Sequence, residues 1–476
     1  MSGSWAIPGL DLHVELDRGR KAASLEQALR AAVREGRLTA GIRLPSTRTL
    51  AADLGIARNS VAGVYAQLTA EGWFEARVGA GTWVSSHAGA AAPARESLQR
   101  PGAGGLDLRG GIPDASGFPR RAWAAAARRA ALDATAAELG YAPTAGATSL
   151  RTSLAEYLGR TRGVVATPDQ VLVGHGFGEL LGLACRALAA VGARRIGMEE
   201  VGHEVHRDIV RAAGLTPVPL PVDGDGADVA YVDDDVDAML LTAAHQFPTG
   251  VPLAATRRIA AVRWAERTGG LVIEDDYDGE FRYDRRAIGA LQSLSPEHVL
   301  YAGTASKSLA PAVGLAWAVV PDRMLPAVVA ERRRSGAAVD VLNQLALRAL
   351  IESHELDRNV RRLRAEYRSR RLALEARVAD ELPGCRVTGL SAGLHCLLEL
   401  PPGTSEERVS EEAARLGLRL AGLRSFRLQG TEWRHPPAMV VGYGAPPAHR
   451  FDEALGLAVR AVRTVLDGRD AAPGLG

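Results

Sequence analysis

The feature that most constrains this 476-residue chain is a break in its apolar pattern. Residues 87–105, HAGAAAPARESLQRPGAGG, are rich in alanine, glycine and proline and show no helical or strand periodicity, which is typical of a flexible linker. A chain interrupted in this way does not pack around a single core. We therefore expect a small N-terminal unit over residues 10–86, a large body over 106–468 and a disordered tail at 469–476.

The pattern of the small unit predicts three helices and a hairpin. Ser24 and Gln27 form a capping-box pattern ahead of the first helix, and Ser46 can cap the second. The third helix is predicted to begin near Arg58, and two short strands then flank the turn Gly79-Ala80-Gly81. Short helices joined by a glycine turn and followed by a hairpin indicate a winged helix-turn-helix.

Several polar residues lie at the exposed ends of this scaffold, where DNA contacts are made. The start of the third helix presents Arg58, Asn59 and Ser60 to base edges and phosphates. Further candidates for DNA contact are Arg48 on the second helix and Arg77, Gly79, Gly81 and Thr82 on the wing. The net charge of +2 gives no bulk attraction to nucleic acid, so a solvated helical unit without DNA-binding function stays open as an alternative.

The body alternates short apolar runs with amphipathic segments. Strands are predicted at 171–174, 194–199, 238–242, 271–276 and 298–303, with helices between them such as 178–190 and 254–268. This alternation predicts an α/β fold with a mostly parallel sheet. Ligands in such sheets bind at the carboxyl ends of the strands.

Residues suited to one cofactor chemistry follow three of these strands. Lys307 lies beside the hydroxyls of Thr304 and Ser306, and arginine cannot form the Schiff base with a phosphorylated aldehyde that a lysine can form. Asp275 can keep a pyridine nitrogen protonated, and Tyr277 can bond a ring oxygen. The glycine-rich turn at 174–179 precedes a helix and suits a phosphate.

The composition makes this lysine stand out. The chain has 57 basic residues, of which only Lys21 and Lys307 are lysines. Lys21 precedes the first predicted helix and is expected to be solvated. The three cysteines are too few and too scattered for a disulfide framework or a zinc site. We expect no metal site, no membrane span and a cytoplasmic protein.

Two resemblances extend this interpretation. The small unit resembles the DNA-binding domain of GntR-type bacterial regulators in LPSTR, ARNSV, EGW and GAGT. The body resembles fold-type I, pyridoxal-phosphate-dependent aminotransferases in stretches such as YAGTASKSL at 301–309 and GLHCLLEL at 393–400. The joined pair, with HQFPTG at 245–250 and EDDYDGEFRY at 274–283, resembles the MocR/GabR family of transcription regulators.

The resemblance implies a cofactor, site residues and an assembly. Pyridoxal 5'-phosphate would be held by Lys307 as Schiff-base lysine and by Asp275 at the pyridine nitrogen. Other cofactor-binding residues that the resemblance or the local pattern suggests are Tyr277 with His245 or Gln246 near the ring oxygen, Thr304 and Ser306 near the phosphate, Phe177 and Gly178 in the glycine-rich turn, and His203 in place of a tyrosine. The family also implies a smaller C-terminal α+β domain over about 340–468 and a head-to-tail homodimer on double-stranded DNA.

Two departures from the family pattern concern anion binding. Gly314 stands where the phosphate-neutralising arginine is usual, so the phosphate loses a charge-assisted bond. The run 438–443 lacks the arginine that grips a substrate carboxylate in aminotransferases. Arg424, Arg427 and Arg434 are the candidate substitutes.

Three functions follow. The first is a DNA-binding regulator that binds pyridoxal phosphate and senses it, or its adduct with an amine or amino-acid effector. The second is a working aminotransferase tethered to DNA, which the missing carboxylate arginine disfavours. The third is a regulator whose body has lost the cofactor and binds another ligand. The absence of arginine at position 314 favours the third function, whereas the presence of Lys307, Asp275 and Tyr277 opposes it.

Overall fold

The computed structural model describes residues 3–6, 13–16, 20–77, 80–86, 105–283 and 288–470. The chain divides into two compact units, Met1–Ala103 and Gly104–Gly476. Gly79, most of the predicted linker (87–104) and the end of the predicted tail (471–476) lie outside the described residues. No helix within these ranges is long and apolar enough to cross a membrane.

The first unit contains a three-helix core with a hairpin. Ser46 caps the second helix, since its hydroxyl accepts a hydrogen bond from the Thr49 amide, and Gly55 ends that helix in the left-handed conformation. The elements are β1 Gly3–Ala6, β2 His13–Leu16, α1 Lys21–Arg34, α2 Thr47–Leu54, α3 Arg58–Ala70, β3 Phe74–Arg77 and β4 Gly81–Val84.

The prediction for the start of the first helix was wrong. Helix α1 begins at Lys21, and Ser24 lies in its first turn, where the hydroxyl donates to the Arg20 carbonyl oxygen rather than capping the helix. Lys21 is therefore helical, and its Nζ donates to the Gly55 carbonyl oxygen at 3.3 Å.

The second unit is an α/β body built on a seven-stranded sheet. The strand order is β6-β14-β13-β12-β11-β7-β8, and β14 alone runs antiparallel to its neighbours in this sheet. The elements up to the end of this sheet are β5 Leu106–Asp107, α4 Arg120–Asp133, α5 Thr148–Arg162, β6 Val171–Gly174, α6 Phe177–Ala190, β7 Arg195–Glu199, α7 Glu204–Ala212, β8 Thr216–Leu220, β9 Val222–Asp223, β10 Gly226–Ala227, β11 Ala238–Leu241, α8 Ala255–Thr268, β12 Leu271–Asp275, β13 Val299–Thr304, α9 Ala305–Ser308 and β14 Ala316–Val319.

A smaller α+β region follows at the C-terminal end of the chain. Its antiparallel sheet has the order β15-β16-β19-β18. The last helix extends to Asp470, two residues into the predicted tail. The remaining elements of the chain, of which α10 and α11 pack on helices beside the large sheet, are α10 Leu325–Ser335, α11 Val341–Glu352, α12 Glu355–Glu381, β15 Arg386–Thr388, β16 His395–Glu399, α13 Glu406–Arg415, β17 Leu418–Arg419, β18 Ala421–Gly422, β19 Ala438–Gly442 and α14 Phe451–Asp470.

Strands β12 and β13 lie side by side at the centre of the large sheet. They run parallel, with Asp275 opposite Ala302. All five residues of β12 are buried, as expected for a parallel strand covered on both faces. This register brings the residues that follow both strands to the same edge of the sheet.

A buried ion pair stabilises the edge of the sheet where β12 ends. Arg162, at the end of α5, donates from Nε to the Asp276 carboxylate at 2.6 Å, and both side chains are almost fully buried. The Tyr301 hydroxyl donates to the same carboxylate at 2.8 Å. Removing one partner of a buried pair leaves the other charge without compensation, so this pair holds the loop after β12 in place.

We expect Asp276→Ala to lower the free energy of unfolding by about 3–5 kcal/mol, because it strands the buried Arg162 guanidinium. Arg160→Ala is the matched control, since Arg160 is half exposed in its pair with Asp357 and its loss should cost less than about 1 kcal/mol. Urea titrations of the full chain measure the free energy of unfolding of both variants. Equal losses would contradict the stabilising role of the buried Arg162–Asp276 pair.

Candidate functional site

The carboxyl ends of the central strands open into one cavity of about 160 Å³. It lies where ligands bind in α/β sheets. Seven of the predicted cofactor residues line it: Phe177, His203, Asp275, Tyr277, Thr304, Ser306 and Lys307. The structure thus brings together residues from four separate segments of the chain.

Lys307 lies in the short helix α9 that follows β13. Its Nζ donates a hydrogen bond to the Gly111 carbonyl oxygen at 2.5 Å. Burial lowers the pKa of Lys307, although the nearby Asp275 and Asp278 carboxylates oppose this shift. An amine that loses its proton more readily is a better nucleophile toward a carbonyl carbon.

Asp275 ends strand β12 and lines the same cavity as Lys307. Within the described residues, burial and neighbouring charges act on its carboxylate, and no hydrogen-bond donor does. Burial raises the pKa of Asp275 well above its usual range, whereas the positive charge of Lys307 lowers it. A buried carboxyl group that faces a cavity beside a lysine fits a ligand with a protonated ring nitrogen.

Hydroxyl groups and rings complete the walls. The Thr304 hydroxyl caps α9 by accepting from the Ser306 amide, and it donates to the Ser306 hydroxyl at 2.9 Å. His203 stacks on Phe247, with ring centroids 3.9 Å apart and planes at 12°. Two hydroxyls beside a lysine suit a phosphate, and flat side chains suit a heteroaromatic ring.

Three predicted cofactor residues lie outside the cavity lining. Gln246 is buried and bound to Glu199 and to the Val201 carbonyl oxygen. Gly178 lies against the side chain of Ile209. His245 is turned toward Asp278, with Nδ1 2.9 Å from a carboxylate oxygen.

The cavity also contains residues that were not predicted from the sequence. Glu199 ends strand β7, and its carboxylate accepts a hydrogen bond of 2.6 Å from Thr242, which follows β11. Burial raises the pKa of Glu199 to about 7. Like Asp275, Glu199 and Thr242 lie at the carboxyl ends of strands. The predicted strand ends could therefore have identified them as candidate site residues.

Arginine reaches the cavity from an unexpected position. Arg424 stacks on Trp433, Arg427 bonds to Thr431 and Arg434 pairs with Glu432, and none of these three lines the cavity. Arg207 of α7 does line it. Its guanidinium donates to the carbonyl oxygens of Phe426 at 2.7 Å and Glu200 at 3.2 Å.

The loop after Lys307 supplies no arginine to the part of the cavity near Thr304 and Ser306, where a phosphate is expected. Gly314 occupies the left-handed conformation at the end of a short 3₁₀ turn, Pro311–Val313. The described lining of the cavity has Lys307 and Arg207 as its two strongly basic side chains. A phosphate there would rely on hydroxyls, backbone amides and these two residues.

The DNA-binding candidates lie on the surface of the first unit. Arg58 and Asn59 begin α3, both are exposed, and neither makes a side-chain hydrogen bond or ion pair to any described residue. Arg48 is exposed on α2. Side chains that the protein itself leaves free at a helix start are available to base edges and phosphates.

The wing is organised around Trp83 of β4. The guanidinium of Arg77 lies 5.0 Å from the Trp83 ring and that of Arg43 lies 5.5 Å from it. Arg43 also donates to the Ala80 carbonyl oxygen at 2.6 Å. Gly81 begins β4 at φ 123°, and Thr82 follows it. Arg43, which was not predicted from the sequence, therefore supports the wing.

Comparison with known proteins agrees with both units. Residues 21–84 match the bacterial regulatory proteins of the gntR family, and residues 107–431 match the class I and II aminotransferases. The HTH-type pyridoxine biosynthesis transcriptional regulator PdxR of Corynebacterium glutamicum is 33% identical over 79% of this chain and 82% of its own length. The probable rhizopine catabolism regulatory protein MocR of Rhizobium meliloti is 33% identical over 73% of this chain and 74% of its own.

Solved structures agree on the fold of the body. The α-aminoadipate aminotransferase LysN of Thermus thermophilus, in complex with N-(5'-phosphopyridoxyl)-L-leucine, superposes with a TM-score of 0.66 at 24% identity, covering 76% of this chain and 93% of that chain. The body therefore has the fold-type I aminotransferase architecture.

A GntR-type winged helix followed by a body of this architecture defines a transcription regulator built on an aminotransferase scaffold. The chain belongs to the MocR family of such regulators.

The raised pKa of Glu199 predicts a pH dependence of stability. Its folded pKa of about 7 lies above the ordinary value of 4.5, so the folded state holds this proton more tightly. Relative to Glu199→Gln, the free energy of unfolding of the native chain should fall as pH rises from about 4.5 to 7 and level off above that. Urea titrations of both chains between pH 4.5 and 7 test this prediction. Free energies of unfolding that change in parallel with pH in the two chains would contradict it.

The exposed start of α3 predicts the effect of losing Arg58. We expect Arg58→Ala to weaken binding to the promoter region upstream of the protein's own gene by about tenfold or more. Arg37→Ala is the control, because Arg37 lies after α1 and pairs with Glu35. Fluorescence anisotropy at fixed salt measures both, and equal effects would argue against α3 as the recognition helix.

Proposed function

We propose that this regulator binds pyridoxal 5'-phosphate in the body through Lys307 and senses the cofactor, or its adduct with an amine or amino-acid effector, to change its affinity for DNA. The observation that carries the proposal is that Lys307 and the Asp275 carboxyl line one cavity, where Asp275 has no donor within the described residues. When bound, the cofactor supplies an aldehyde that a lysine can capture and a ring that draws electrons.

Each lining residue has a proposed task. The Lys307 amine, whose pKa is lowered by burial, is the attachment point. Asp275 holds the proton of the ring nitrogen, and Tyr277 and the hydroxyls of Thr304 and Ser306 orient the oxygens of the ligand. His203, which lines the cavity and stacks on Phe247, packs against the ring of the ligand.

The arginine positions favour sensing over transamination. An aminotransferase holds the substrate carboxylate with a positioned arginine, which orients the reacting amine. Arg424, Arg427 and Arg434 lie outside the cavity lining, and Arg207 already donates to two backbone carbonyl oxygens. A sensor needs only that a ligand bind two conformations of the protein unequally.

We also propose a homodimer that works on double-stranded DNA in the cytoplasm, with the two copies arranged head to tail. Leu132, Leu139 and Tyr141 of the body are exposed, Tyr141 completely. Large exposed apolar side chains close together in sequence suit contact with a second copy.

The two lysines of the chain give a sharp test of cofactor binding. Pyridoxal phosphate added to the full chain should produce the absorption band of a lysine-bound cofactor, and Lys307→Ala should abolish it. Lys21→Ala, which changes the other lysine, should keep the band. Borohydride reduction followed by mass spectrometry should place the cofactor on Lys307. Absence of a band at saturating cofactor would overturn the proposal and leave another ligand for the cavity.

Incubation of the cofactor-loaded chain with amino acids separates the sensor from the enzyme. The sensor predicts at most one equivalent of keto acid per chain. Release of keto acid over many turnovers would show an active aminotransferase instead.

A further inference from the structure

Three buried side chains converge behind the wall of the cavity. His245 follows β11, Asp278 follows β12 and His395 begins β16, so three distant segments of the body contribute to one cluster. Their relative exposures are 3%, 3% and 0%. None of the three is among the residues that line the cavity of Lys307.

Three of the four ring nitrogens of this cluster lack partners among the described residues, and the fourth, His245 Nδ1, contacts Asp278 and the Tyr277 hydroxyl. Both nitrogens of His395 and Nε2 of His245 are buried and make no hydrogen bond to any described residue. A neutral imidazole has one donor and one acceptor nitrogen, and burying either of them without a partner destabilises the folded state. Three such atoms in one place indicate an occupant that the protein chain does not supply.

The geometry brings the donors together. His245 Nδ1 lies 2.9 Å from the nearer Asp278 oxygen, and the rings of His245 and His395 have centroids 4.8 Å apart. One ligand atom from each of the three residues lies within 4.8 Å of the others. Ligands of a tetrahedral ion at about 2.1 Å are roughly 3.4 Å apart, so the rings would have to turn to bring all three ligand atoms to one ion.

Two glycines keep side chains away from the cluster. A Cβ atom at Gly393 would collide with an Asp278 oxygen and with the His245 ring. A Cβ atom at Gly250 would lie 3.2 Å from His245 Nε2. Any larger residue would fill the space around the unpartnered nitrogen.

We propose that His245, Asp278 and His395 bind a divalent first-row transition-metal ion, with Zn²⁺ as the reference ion. Two imidazoles and one carboxylate are a common ligand set for such ions. The three residues do not line the cavity of Lys307, but His245 contacts Tyr277, which does line it. The ion would fix His245, whose backbone oxygen accepts a hydrogen bond of 3.0 Å from the Tyr277 hydroxyl, and so would hold one wall of the cavity.

The test measures zinc bound to the full chain. Purified protein is stripped with a chelator, equilibrated with Zn²⁺, passed through gel filtration and analysed by mass spectrometry for metal. The native chain should retain one equivalent, and His395→Gln and Asp278→Asn should each weaken binding more than tenfold. His449→Gln is the matched control, since His449 is exposed, and should retain the full equivalent. A native chain that retains no zinc, or variants that retain as much as the native chain, would overturn the proposal.

X-ray absorption of the zinc-loaded native chain tests the ligands of the ion directly, even if a variant fails to fold. The proposal predicts a shell of nitrogen and oxygen with the scattering pattern of two imidazoles. A shell containing sulfur, or one with no imidazole pattern, would place the ion elsewhere and contradict the site.

Discussion

The parallel register of β12 and β13 is the constraint on which the rest of the site depends. It places Asp275 at the end of one strand and Lys307 just beyond the end of the next, so that both reach the same cavity. The buried pair of Arg162 and Asp276 holds the connecting loop against this sheet edge. Asp275 and Lys307 lie at the ends of two different strands, so neither local helix propensity nor net charge would bring them together.

Much of this arrangement could be predicted from the sequence. Apolar runs that end in small or polar residues marked the strands, and a lone lysine among arginines marked Lys307. The start of α1 could not be predicted, since the Ser24 hydroxyl donates to a carbonyl oxygen instead of capping. Arg207 could not be predicted either, because its place in the cavity depends on how α7 packs against the segment around Phe426. Tertiary contacts of this kind leave no local pattern.

The distribution of arginine explains how an aminotransferase scaffold can serve regulation. The cavity is lined by Lys307, Asp275 and Tyr277, the groups that we propose attach and orient a cofactor, while Gly314 and the strand β19 supply no guanidinium to hold anions. Arg207 instead joins α7 to the carbonyl oxygen of Phe426. A ligand that competes for this guanidinium would alter the contact between the large sheet and the C-terminal region. Such a contact, with two alternative partners, would give a ligand unequal affinity for two conformations.

Occupancy of the Lys307 site is proposed to change the affinity for DNA. The most direct measurement is the affinity of the full chain for its own upstream promoter region, by fluorescence anisotropy, over a titration of pyridoxal phosphate at fixed salt. We predict that affinity shifts by about fivefold or more as the site fills, and that Lys307→Ala shows no shift while still binding DNA. An affinity that is the same with and without the cofactor, in a native chain proven to bind it, would contradict the proposed coupling.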